Sequence, residues 1–73
     1  MEKYKILIQN TNTMFNDIND AFEQSGLKLG NEGDLCLFMN TIQMVGSALA
    51  QCDDKFDCNE FTTQCFKTNK PSH

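Results

Sequence analysis

Leu35-Cys36-Leu37-Phe38-Met39-Asn40-Thr41-Ile42-Gln43-Met44-Val45-Gly46-Ser47-Ala48-Leu49-Ala50-Gln51-Cys52 decides the fold, because this run of eighteen residues carries no charge. Leu35, Phe38, Met39, Ile42, Val45, Gly46, Leu49 and Cys52 recur in steps of three and four, the period of an α-helix. Asn40, Thr41, Gln43, Ser47 and Gln51 interrupt the run, and neither an aromatic belt nor a basic flank borders it. A helix packed inside a bundle is therefore expected rather than a membrane span. Asp34 has the right chemistry for its N-cap, which predicts a helix over about 35–51.

Upstream, Tyr4, Leu7, Ile8, Thr11, Met14, Phe15, Ile18, Ala21 and Phe22 hold the same period, with Asp17, Asp20 and Glu23 on the other side. Tyr4, Ile6 and Ile8 also alternate as a strand would. A lone strand has no partner here, so a helix over about 3–25 is preferred, with a break conceivable near Asn10–Thr13. Ser25-Gly26 ends it, Gly26 suiting the left-handed cap position. Gly26, Gly30 and Gly33 then mark a connector over 26–33, which lacks the Lys-Ser or Lys-Thr of a phosphate-binding loop.

Downstream, Asp57 and Glu60 have the spacing of a capping box, and Phe56 and Phe61 that of a hydrophobic staple. They predict a third helix over about 58–68, with Lys67 and Lys70 near its negative end and Pro71 beyond. Short connections favour antiparallel neighbours. Folding the first helix onto the second sets Phe22 near Phe38, Ile18 near Ile42, Phe15 near Val45, and Leu7 and Ile8 near Cys52. Folding the third onto the second sets Phe61 near Leu49 and Cys65 near Val45. The expected fold is all-α: a three-helix hairpin or bundle, one domain over 1–70 with a short tail at 71–73.

A second stripe, Leu37, Thr41, Met44 and Ala48, lies on the far side of the second helix. It is either core shared with the other helices or an exposed patch for another chain. The chain's 73 residues hide only about 60% of their unfolded surface. Help from a partner is therefore expected, and this stripe is the candidate homodimer interface.

Ten acidic residues against six lysines give a net charge of −4, and there is no arginine. That balance repels a phosphate backbone and lacks the residue best suited to reading guanine, so direct nucleic-acid binding is not expected. The first ten residues hold only a three-residue apolar stretch, too short for a signal peptide, which points to the cytoplasm. In a reducing compartment Cys36, Cys52, Cys58 and Cys65 are expected as thiols. Their spacing contains no zinc knuckle, so no metal or cofactor is expected. A Cys52–Cys58 disulfide across the turn is the geometric alternative. The single histidine, His73, lies in the tail and offers no base to a cysteine nucleophile, so no catalytic residue is assigned and enzymatic activity is not expected.

Asp53, Asp54, Asp57 and Glu60 gather acid in the turn between the second and third helices. This segment lacks the central glycine and the final glutamate of a calcium loop. It forms a candidate partner-binding knob for a basic protein surface. The function implied is non-enzymatic protein contact. Its most concrete form is a small acidic inhibitor of the sort mobile genetic elements encode, blocking a host nucleic-acid-handling complex as anti-CRISPR proteins do. Two alternatives stay open: an assembly subunit working through homo-oligomerisation, and a metal or redox sensor built on Cys52 and Cys58.

Overall fold

The computed structural model describes residues 2–69, and the expected tail at 71–73 lies outside them. A 3-10 turn over Glu2–Tyr4 leads into α1 (Lys5–Gln24); α2 (Gly30–Cys52) and α3 (Cys58–Thr68) follow, with no strand among the described residues. The three helices pack on one another in a body of 41 × 22 × 19 Å. The all-α hairpin read from periodicity is the observed fold.

α1 is continuous through Asn10–Thr13, and residues 3–9 belong to the 3-10 turn and the helix rather than to a strand. Its inward face is Ile8, Thr11, Asn12 and Phe15, continuing Tyr4 of the 3-10 turn. Thr11 fits that face because its hydroxyl donates to the Leu7 carbonyl at 2.6 Å, which satisfies a polar group only 1% exposed. The Asn12 side-chain carbonyl is buried without a hydrogen-bond partner among the described residues, a desolvation cost of about 1–3 kcal/mol. The helix ends in a Schellman motif: Gly26 N–H donates to Glu23 O at 3.0 Å and Leu27 N–H to Phe22 O at 2.9 Å. Gly26 has φ +76°, the conformation that motif needs.

The main departure from the sequence reading is where α2 begins. It starts at Gly30, not Leu35, and Asp34 lies inside it, accepting a hydrogen bond from the Asn19 amide at 2.6 Å instead of capping the end. Leu29 lies close over Gly33, where a Cβ would come within 3.2 Å of its side chain. That contact covers a first turn whose two glycines and one asparagine have poor helix propensity. An earlier start moves the whole register. Phe38 now lies eight residues into α2, level with Phe15, nine residues from the end of α1. The two rings meet at a tilt of 45°, their centroids 4.7 Å apart. Phe22, expected there, is only half-buried, and Ile18 is exposed.

α3 opens with the predicted Asp57 cap and phenylalanine staple, but only the Asp57 half of the capping box forms. Asp57 accepts from Glu60 N–H at 3.1 Å, and Phe56 and Phe61 meet edge-on at 5.6 Å. The Glu60 carboxylate is engaged by Gln64 Nε2 at 3.1 Å. α3 packs more extensively on α1 than on α2, reversing the expected pairing. Extended backbone at Asp53 (φ −144°, ψ 103°) and the five-residue link to Cys58 let it swing across. Phe61 and Cys65, both wholly buried, are the centre of the core. Phe66 reaches Phe38 at 4.8 Å, and Tyr4 stands edge-on to Phe56 at 5.6 Å and to Phe61 at 6.5 Å. Each such aromatic pair adds about 0.5–1.5 kcal/mol beyond its burial.

Candidate functional site

The antiparallel α1–α2 hairpin brings the start of the chain beside the α2–α3 turn, and the acidic residues divide there. Asp53 turns inward. Its carboxylate accepts from the Tyr4 hydroxyl, pairs with Lys3 Nζ at 3.0 Å and accepts from Lys55 N–H at 3.1 Å. The hydrogen bond from Tyr4, then that from Lys3, stabilises the charged form and lowers the Asp53 pKa from 3.8 to about 2. The same hydrogen bonds raise the pKa of Lys3 and of Tyr4. Asp53 is thus a clasp between the two ends of the hairpin.

Asp54, Asp57 and Glu60 remain exposed. Asp57 is held by its capping hydrogen bond and Glu60 by Gln64, so both have fixed positions on the rim. Glu2, Lys3, Tyr4, Lys55, Asp57 and Glu60 line an open cleft of about 410 Å³. The segments Glu2–Tyr4 and Asp53–Glu60 hold five carboxylates against two lysines, a balance of −3. Sequence reasoning collected the four acids but missed Glu2, Lys3 and Tyr4. The available signal was that an antiparallel hairpin must place residues near 4 against residues near 52.

At the opposite end Glu23, Lys28, Asn19 and Asp34 line a second open cleft of about 550 Å³ around the α1–α2 connection. Acid is therefore present at both ends, tied at this one by the Asn19–Asp34 hydrogen bond and at the α2–α3 turn by the Asp53 clasp with its ion pair.

The stripe Leu37, Thr41, Met44 and Ala48 is split by packing. Thr41 is buried, donating from its hydroxyl to the Leu37 carbonyl at 2.7 Å, and Leu37 packs partly against the core. Met44 and Ala48 are exposed. The outward face is rotated from the expected one and centres on Cys36, Asn40, Gln43, Ser47 and Ala50, all exposed. By length and composition α2 is apolar enough to cross a membrane.

All four cysteines are free thiols. Cys36, Cys52 and Cys58 are exposed, whereas burial pushes the Cys65 thiol up to about 11. Cys52 Sγ donates to the Ala48 carbonyl at 3.4 Å, pointing back along its own helix. Among the described residues no three His, Cys, Asp or Glu side chains are grouped to hold a metal ion. No family model, no curated protein and no solved structure matches this chain.

Proposed function

We propose that the chain is a non-enzymatic protein-interaction module whose contact surface for a partner is the acidic α2–α3 end. The observation that carries this reading is the locked turn. Asp53, clasped by Tyr4 and Lys3, fixes the backbone from which Asp54, Asp57 and Glu60 project. Charges held in fixed positions lose less entropy on docking than charges on a mobile loop, which makes them better complements to a basic surface. A basic surface that would otherwise hold a nucleic-acid backbone is the kind of partner this chemistry suits, as for a stoichiometric inhibitor of a mobile-element type working inside the cell. The reading treats α2 as a packed helix. Its support is that Phe38, Ile42 and Leu49 are buried in the bundle while Asn40, Gln43, Ser47 and Gln51 face outward.

The test is to reverse the exposed charges and leave the clasp alone. Proteins captured from cell extract by the wild-type chain are compared with those captured by Asp54→Lys/Glu60→Lys. The expected result is a basic nucleic-acid-binding protein that elutes from the wild type with salt and is lost from the variant. Its retention by the folded variant removes the acidic end as the contact surface.

A further inference from the structure

We propose that the outward face of α2 is the contact surface between two copies of this chain, joined across a twofold axis near Gln43. This rests on a different surface from the acidic end and stands or falls separately from it. Cys36, Asn40, Gln43, Ser47 and Ala50 are exposed and spaced 4, 3, 4 and 3 residues apart. That is the heptad spacing along which one helix lies on another, carried here by polar and small side chains in place of the apolar ones of a coiled coil. Met39 and Met44, 40% and 58% exposed, flank it on either side. From Leu35 to Cys52 the face is uncharged on a protein of net charge −4, with carboxylates lining the clefts at both ends.

Three features select a second copy as the occupant. At a twofold interface each residue meets the same patch on its partner, so the patch must complement itself. Asn40 and Gln43 carry both donors and acceptors, and Ser47 a hydroxyl that does both jobs, so each can pair with its own kind where a charged residue cannot. In the single chain the Asn40 amide donates to Cys36 Sγ at 3.3 Å, a weak acceptor that a partner's carbonyl would improve on. Finally, two equally acidic molecules approach with less repulsion at a strip that bears no charge, and this one is longer than the uncharged stretch Ile6–Asn16 of α1. A hydrocarbon surface does not suit the strip, because lipid would leave those amides without partners.

The strip is about 27 Å long and about 10–12 Å wide, roughly 300 Å² on each copy. That lies in the range of weak, transient interfaces, so the dimer forms with rising concentration rather than permanently.

Sedimentation equilibrium of the full chain in reducing buffer, from about 10 μM to about 1 mM, tests this, with thiol alkylation followed residue by residue over the same range. The expected result is a mass that climbs from 8.3 kDa towards twice that value, with Cys36 becoming protected in step while Cys58 stays reactive. Gln43→Glu and Gln43→Lys, both at an exposed position, are each expected to stay monomeric and folded by circular dichroism. An equimolar mixture of the two is expected to regain the dimer, because opposite charges then meet at the axis. A monomer at every concentration overturns the proposal. A dimer that leaves Cys36 reactive, or that both Gln43 variants still form alone, overturns it by placing the contact on another face.

Discussion

Asp53 is the residue at which acidity and stability meet. Its carboxylate is charged in the fold down to about pH 2, whereas in the unfolded chain it titrates near 3.8. A depressed pKa contributes stability above the unfolded value and loses it as pH falls through the folded one. The clasp's contribution is thus complete at neutral pH and disappears between about pH 4 and pH 2. Lys3 and Tyr4 work in the other direction: both are raised, so their share is present below their unfolded pKa values and lost as the pH climbs through the folded ones. The expected outcome is that Asp53→Asn lowers the melting temperature at pH 7 and that wild type and variant converge near pH 2; equal melting temperatures at pH 7 would show the clasp to be inert. Cys65 gives a second residue-scale prediction. With the thiol buried and pushed up to about 11, it should resist alkylation until the chain unfolds, while Cys36, Cys52 and Cys58 react in the native state. Mass spectrometry counting three rapid additions and one slow one checks it. That Asp53 turns inward while Asp54 faces water is not legible from two adjacent aspartates; it depends on Tyr4 and Lys3 arriving from 49 and 50 residues away.

At the scale of elements, local chemistry was legible wherever a motif is complete within a few residues. The Schellman end at Gly26 and the Asp57 cap with its Phe56–Phe61 staple all stand where the sequence placed them. The start of α2 was not, because Gly30, Asn31 and Gly33 argue locally against a helix, and only the Leu29 contact over Gly33 and the packing beyond it favour one. Two glycine substitutions separate these cases. Gly26→Ala has open space around its new Cβ but must hold φ +76°, so it should destabilise the fold by about 1–2 kcal/mol. Gly46→Ala, inside α2 and buried, would place its Cβ in ordinary contact with Phe56 at 3.9 Å. It should therefore stabilise the fold by up to about 1 kcal/mol through helix propensity, raising the melting temperature by several degrees. Urea denaturation of both variants reads the two signs, and a destabilised Gly46→Ala would mean that Phe56 cannot accommodate a methyl group.

In the whole molecule, few residues form the core. Among the described residues eight hydrophobic side chains are buried, and Phe61 meets Tyr4 from the start of the chain and Phe56 from the α2–α3 turn. Phe61→Ala should cost about 3–5 kcal/mol, enough to unfold most of a domain this small. Far-ultraviolet circular dichroism at 25 °C is the check, and a variant that melts like the wild type would show that Phe61 is not central.

The sequence by itself determined that this chain is three helices, where two of them end or begin, and that its acid outweighs its base. Those properties rest on period, capping chemistry and charge, each read along the chain without knowing what packs against it. Only the tertiary structure decided that Phe38 meets Phe15 and not Phe22, and that α3 lies chiefly on α1. It also turned Thr41 inward and set Cys36, Asn40, Gln43 and Ser47 facing out. The physical reason is that a helix apolar on most of its circumference has several nearly equivalent ways to pack. The choice among them is made by where its partners begin and by how their rings interlock, which no stretch of the chain contains alone.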